Sequence, residues 1–385
     1  MESSALTVSQ SPTSQKAGFP EVETKTTKQK QSPPAISGQI LGEPDKKITQ
    51  AATLSQSLLA TSENGLLCHH QKKYRLINVI GRGHYSSVYK AEDEEANPVA
   101  IKRFDEALAD KDVSVENLWQ EECKMTKQAE KVDHAVRLLD VFKIGSYNYL
   151  VMPLYGTPLH YFTHKPQPLC DVKHVGIQIL KFLLGTKAAK LIHGDLKPEN
   201  ILFKNIADEK KEKEIVVIDF GLSISSEIKS KKLIQTMEYR APEVYLDKDF
   251  EYEIDMWSLG CILFEMYTGE HFIRSFDYND LTLATYANML DQIHRRLGAL
   301  PPDSWMEKSK NAAILYSKTD SGYVMKVKPT FDYSKFKSFE KRILARATKN
   351  DELEKGKILA SLLKGMLTYE KRISPEKALE IIQTI

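Results

Sequence analysis

The chain of 385 residues is poor in cysteine and has almost no excess of either charge. Its four cysteines, Cys68, Cys123, Cys170 and Cys261, stand far apart, with no Cys-x-x-Cys pair and no histidine at zinc-ligand spacing. That usage points to reduced thiols in the nucleus or cytoplasm and away from a disulfide framework or a structural metal. With 54 basic and 52 acidic side chains the formal charge is +2, so the chain has no general attraction to polyanions and no direct nucleic-acid partner is expected. No apolar run approaches the roughly 18 residues of a membrane-spanning helix, and Met1–Ser4 does not open a basic-then-apolar leader. The expectation is an intracellular chain with no membrane partner and with an apolar fraction, 42%, sufficient for one large or two ordinary domains. Composition does not speak to its oligomeric state.

Aromatic residues are missing from the first part of the chain. Residues 1–72 carry one, Phe19, among Ser, Thr, Gln, Lys and Pro, and lack sustained apolar periodicity. Such a segment cannot bury enough surface to offset chain entropy, so it is expected to be a disordered tail. From Tyr74 the pattern changes. YRLINVIG, SSVYKA and PVAIKRF read as three antiparallel strands, the stretch from Ser114 to about Gln128 as a helix with Leu118, Glu122 and Met125 on one stripe, and NYLVMPL as a further short strand. Past a connector at residues 153–158 the period becomes helical, with Val175, Ile179, Leu183 and Leu184 on one face and a strongly apolar IDMWSLGCILFEMYTG later. The lysine- and glutamate-rich run at 205–214 reads as a solvated hairpin tip. The fold class is α+β: a small antiparallel sheet with one helix over residues 73–152, then a larger, mainly helical part over 159–385.

Two constellations carry chemistry. Gly81-Arg82-Gly83 sits at a strand-to-strand turn, where the missing Cβ atoms let backbone approach an anion, and Val99-Ala100-Ile101-Lys102 follows. A dinucleotide site would need a helix right after the turn, and Tyr85–Ala91 reads as strand. The second constellation is more specific: His193-Gly194-Asp195-Leu196-Lys197-Pro198-Glu199-Asn200, then Ile218-Asp219-Phe220-Gly221. Asp195 is placed to take a proton from a hydroxyl, Lys197 to neutralise a transferring phosphoryl group, and Asn200 with Asp219 to offer hard oxygen ligands to magnesium.

These motifs resemble those of the eukaryotic protein kinases, over roughly residues 74–385. The resemblance implies a bilobal protein kinase fold (N-lobe 73–152, hinge 153–158, C-lobe 159–385) with ATP and Mg2+ in the cleft, and protein substrates with Ser or Thr acceptors. Gly81, Arg82, Gly83 and His84 resemble the loop over the phosphates, although Ser86 stands where a third glycine is usual. Lys102 matches the lysine that holds the α- and β-phosphates. Its helix partner is Glu122, or Glu121 if the helix register shifts by one. The adenine site is implied at Ile80, Val88, Ala100 and Leu202, with Met152 at the back and the backbone of Pro153, Leu154 and Tyr155 as hinge. Asp195 is implied as base, Lys197 and Thr236 beside it, and Asn200 and Asp219 as metal ligands. Glu243 of YRAPE is implied to pair with Arg372, and Asp255 to anchor the backbone of the Asp195 loop.

Arg240 in YRAPEV, DMWSLGCILFEMYTGE and the long stretch from Ala299 to Lys349 resemble the CMGC group, and HGDLKPENILF resembles its CDC-like, SR-protein and tyrosine-regulated members. Two positions depart from the pattern. Gly194 stands where many kinases carry an arginine that pairs with a phosphorylated activation segment, and Leu233 where tyrosine-regulated relatives carry an autophosphorylated tyrosine. Glycine offers no donor to a phosphate, so activity without segment phosphorylation is expected, with Ser223, Ser225, Ser226 and Ser230 as solvent-facing loop residues. The competing reading is a catalytically impaired pseudokinase scaffold that binds nucleotide and partner proteins. Ser86 and Gly194 speak for it, and the presence of Lys102, Asp195, Asn200 and Asp219 speaks against it.

Overall fold

A computed structural model describes residues 65–108, 113–204, 213–227, 233–275, 283–326, 338–347 and 350–385. All lie in one compact unit, residues 36–385. Most of the expected tail, nearly all of the 205–214 tip, and Ser230 fall outside the described residues.

The N-terminal part is a six-stranded antiparallel sheet of β1 (Leu66–His69), β2 (Lys72–Arg82), β3 (Ser86–Glu92), β4 (Pro98–Asp105), β5 (Asp140–Ile144) and β6 (Tyr147–Pro153), in the order β1-β2-β3-β4-β6-β5. One face packs Phe104 and Leu150 against Val115 and Cys123 of helix α1 (Val115–Ala129); the other buries Leu67, Tyr74, Val99, Ile101, Phe142, Tyr149 and Val151. The helix begins where Ser114 caps it, its side chain accepting the Asn117 N–H at 3.3 Å. Two strands go beyond the sequence reading. β1 lies inside the span expected to be tail, because Leu67 is its only buried residue and one apolar side chain is invisible against a polar background. β5 has only five residues, with Phe142 alone fully buried.

The C-terminal part is built on helices α2 (Leu169–Ala188), α3 (Glu253–Thr268), α4 (Leu283–Leu297), α5 (Asn350–Met366) and α6 (Pro375–Gln383). Every residue of α3 from Ile254 to Tyr267 is buried, as expected of a helix apolar all round, and it packs against α2 and α5. Short strand pairs carry the loops: β7 (Leu191–Ile192) with β10 (Ile224–Ser225), and β8 (Ile201–Phe203) with β9 (Ile215–Val217). Arg372 grips the Glu243 carboxylate with two nitrogens, its Nη2 donating to Oε2 at 2.7 Å, and also donates to the Glu253 carbonyl at 3.2 Å.

Within the expected 299–349 stretch lies a hairpin of β11 (Tyr316–Thr319) and β12 (Gly322–Met325), tied to α4 by a 3.0 Å hydrogen bond between the Tyr316 hydroxyl and His294 Nε2. Burial pushes the His294 pKa down to about 3. The folded imidazole is therefore neutral where the unfolded one, ordinarily near 6.5, takes a proton. The stability this gives is complete above pH 6.5 and is lost as the pH falls below it. Urea unfolding should show His294→Gln losing about 1.4 kcal/mol less than the parent between pH 7.5 and 5.5; the same slope in both proteins would show that His294 does not contribute.

Candidate functional site

The register of the sheet assembles the wall of a cleft. Lys102 pairs with Val88 on one side and Leu150 on the other, and Ala100 pairs with Met152, so all five share the face that meets α1. Ile80 sits in a β-bulge of β2 and is 47% exposed, and Arg82, Gly83 and His84 stand exposed at the following turn. That turn closes through a 2.7 Å bond from Gly83 N–H to the Ser86 carbonyl. Ser86 itself is buried and pairs with Phe104 as the first residue of β3, so a third glycine has no conformational task there. Beyond Pro153, the Leu154 N–H donates weakly to the Pro98 carbonyl at 3.4 Å, and Gly156 N–H donates to the Phe203 carbonyl at 2.8 Å. Leu202 and Met152 both pack against the helical core, Leu202 bridging to Pro158.

Lys102 settles the helix register. Its Nζ lies 2.7 and 2.8 Å from the two carboxylate oxygens of Glu122 and 3.0 Å from Asp219 Oδ1, whereas Glu121 is exposed beside Lys124. Burial works against the lysine charge, but the Asp219 and Glu122 carboxylates outweigh it and hold the Lys102 pKa above its usual value. Burial would likewise raise Asp219, yet Lys102 and then Lys197 bring it down to about 2. Asp219 adopts a left-handed backbone, φ +65°, and the next residue, Phe220, is buried edge-on against His193, with ring centroids 5.1 Å apart.

The Asp195 loop follows β7. Asp195 Oδ2 accepts from Lys197 Nζ at 2.8 Å and from Asn200 Nδ2 at 3.2 Å, and Oδ1 accepts from the Thr236 backbone N–H at 3.1 Å and hydroxyl at 2.7 Å. Lys197 also donates to Thr236 Oγ1 at 2.9 Å. His193 Nδ1 accepts the Asp195 N–H at 3.2 Å, which leaves Nε2 to donate to the Ile218 carbonyl at 3.2 Å and links this loop to the Asp219 turn. Lys197, ion-paired to Asp195 at 2.8 Å, also helps to lower the Asp219 pKa, and the Ile218 N–H donates to the Asn200 carbonyl at 2.9 Å, which ties the two loops side by side. Asp255, buried in the first turn of α3, accepts the backbone N–H groups of His193 at 2.7 Å and Gly194 at 3.0 Å.

The arrangement fits a divalent cation held partly by a ligand. No group of three or more His, Cys, Asp or Glu side chains able to hold a metal is found among the described residues. The amide nitrogen of Asn200 is committed to the Asp195 carbonyl at 2.9 Å, leaving its oxygen and the Asp219 carboxylate as hard donors. That set suits an ion completing its shell with phosphate oxygens and water.

Comparison with protein families matches residues 74–381 to the one described as Protein kinase domain. The chain belongs to the protein kinase family. Among curated relatives, it is 28% identical over 342 residues to the serine/threonine-protein kinase Doa of Drosophila melanogaster, covering 80% of this chain and 38% of Doa. It is 32% identical over 206 residues to the dual specificity tyrosine-phosphorylation-regulated kinase 4 of Homo sapiens, covering 52% of this chain and 39% of that protein. A further match is the homeodomain-interacting protein kinase 4 of Mus musculus, 33% identical over 208 residues, with 51% and 33% covered. This kinase thus spans two-fifths or less of the length of these relatives, which belong to the CMGC branch that YRAPEV and HGDLKPENILF resemble.

Two features of the kinase were not read from its sequence. Ser223 is not solvent-facing: it is buried, and its hydroxyl donates to the His193 carbonyl at 2.8 Å. Ser225 and Ser226 are half-buried. Gln235 carries no motif, yet it is 3% exposed and hydrogen-bonded throughout. Gly194 is confined from both sides: its φ is +73°, and a Cβ there would meet the Leu222 carbonyl oxygen at 2.8 Å. The segment after Asp219 is held instead by β10 pairing with β7 and by Gln235 N–H donating to the Gly194 carbonyl at 2.8 Å. Phosphatase treatment of the purified protein should leave peptide phosphorylation within about twofold of the untreated rate; loss of most activity would show that a phosphate orders the segment after all.

Proposed function

We propose that the protein is an ATP-dependent protein serine/threonine kinase, and the observation that carries the reading is the convergence of Lys102, Asp195, Lys197, Asn200 and Asp219 on one cleft. Gly81 and Gly83 lie over the triphosphate, Lys102 holds its α- and β-phosphates, and Glu122 holds Lys102 in place. Val88, Ala100, Leu202, Met152 and Ile80 enclose the adenine, with hinge backbone at Pro153, Leu154 and Tyr155 for its polar edge. Asp195 accepts the proton of a substrate serine or threonine as the hydroxyl oxygen bonds to the γ-phosphorus, whose bond to the β,γ-bridging oxygen breaks so that ADP leaves. Lys197 balances charge on the transferring group, and Thr236 fixes the orientation of Asp195. Asn200 and Asp219 would hold a divalent cation such as Mg2+, which would supply charge neutralisation to the phosphates.

Each catalytic side chain is restrained before substrate arrives, since Asp195 has donors on both oxygens and Lys102 meets two carboxylates. Restraint of this kind favours turnover over mere nucleotide binding, because no reorganisation is left for the transition state. The pseudokinase reading has no comparable support in the site.

Removal of a general base typically costs about 10²- to 10⁴-fold in rate. Asp195→Asn should therefore lose transfer of the γ-phosphate to a basic protein substrate by that margin while binding a fluorescent ATP analogue as the parent does; transfer at the parental rate would sink Asp195 as base. Chelation of divalent cations should abolish transfer, and added Mg2+ should restore it in the parent but far less in Asp219→Asn. Full transfer in the presence of chelator would remove the metal role of Asn200 and Asp219.

A further inference from the structure

Gln235 immediately precedes Thr236, whose two donors meet Asp195, and all of its polar atoms are engaged. Its Nε2 donates to the Ile254 carbonyl at 2.9 Å and to Ser258 Oγ at 2.8 Å, and its Oε1 accepts the Ala241 N–H at 3.0 Å. Its backbone N–H goes to the Gly194 carbonyl at 2.8 Å, and its own carbonyl accepts from Arg240 Nη2 at 2.8 Å. Ser258 passes its proton on to the Tyr239 carbonyl at 2.8 Å, which frees the oxygen lone pairs for the Gln235 amide. One side chain thus ties the Asp195 loop, the YRAPE turn and α3 together.

The backbone of Gln235 is left-handed, φ +69°, a conformation uncommon outside glycine and sustained only where surrounding structure over-determines it. The turn has a consequence for its neighbour: it brings both the N–H and the hydroxyl of Thr236 onto the same oxygen, Asp195 Oδ1, at 3.1 and 2.7 Å. A carboxylate would lack the two protons that Ile254 and Ser258 receive, asparagine is one methylene shorter, and methionine matches the length with no hydrogen bond.

We propose that Gln235 is a positioning residue for phosphoryl transfer: its saturated amide locks the left-handed turn that delivers Thr236 to Asp195. This rests on the reading of Asp195 as proton acceptor. The lock is neutral and internal, so it orders the end of the segment without any charge on the segment itself.

The test is a double-mutant cycle in the full chain, with Gln235→Met, Thr236→Val and the pair, measured at saturating peptide. Gln235→Met should lower kcat about 10- to 100-fold with KM for ATP within twofold, and the double variant should be no slower than the slower single variant, since both changes remove the same support. Multiplying losses, or a KM for ATP that worsens in step with the fall in kcat, would make Gln235 a structural residue only and overturn the proposal. Should Gln235→Met unfold, as judged by circular dichroism, Ser258→Ala replaces it in the same cycle, removing a single partner of the amide; multiplying losses there overturn the proposal equally. An inactive parent chain would strike the kinase reading itself, a result distinct from either pattern.

Discussion

The site depends on one buried carboxylate held by backbone N–H groups. Asp255 is 1% exposed, and burial raises its pKa, yet two backbone N–H groups meet it at 2.7 and 3.0 Å. A buried carboxylate without donors is strongly unfavourable, so this contact determines where His193 and Gly194 lie relative to α3. Once those N–H groups point inward, the carbonyl of His193 is available to Ser223 and that of Gly194 to Gln235. A strongly apolar helix thereby dictates the course of the Asp195 loop. The location of Asp255 in the first turn adds the favourable end of the helix dipole to the hydrogen bonds.

On that frame the cleft solves a problem of charge crowding. Glu122, Asp195 and Asp219 would repel one another if left alone, and Lys102 and Lys197 are interleaved so that each touches or faces two of them. The lysine on the sheet and the aspartate on the loop come from the two parts of the fold, so the Lys102–Asp219 contact at 3.0 Å couples their relative position to the state of the site. Side chains held in this way do not need to be ordered by a ligand.

Much of this was legible in the linear chain because its chemistry is local. Asp195, Lys197 and Asn200 fall within six residues, and their contacts with one another follow from that spacing. The periodicity of α1 narrowed the partner of Lys102 to Glu121 or Glu122, and only the helix phase, with Glu122 inward, decided between them. Residues whose role comes from distant backbone were harder to see. Ser223 and Gln235 are ordinary polar residues by composition, and what buries them is the loop at His193 and the helix at Ile254, remote in sequence. β1 and β5 escaped for a different reason: each offers the core one fully buried side chain, too small a signal for alternation to register. Within the stretch read as tail, a sheet edge recruits a strand with a single buried leucine.

The two departures at Gly194 and Leu233 acquire a common physical meaning in the folded chain. An arginine at 194 would have to enter a space already limited by the Leu222 carbonyl and the Ile234 side chain, which a Cβ alone would meet at 2.8 and 3.3 Å. Packing as well as chemistry thus disfavours an arginine at 194. The contacts that replace it are amide, hydroxyl and backbone hydrogen bonds, with the guanidinium of Arg240 turned to the carbonyls of Ile234 and Gln235 rather than to an anion. Buried bonds of this type are far less sensitive to ionic strength than an exposed phosphate–arginine pair, and they form with the fold itself. The described end of the segment, from Ile234 to Arg240, is therefore held by bonds that form with the fold.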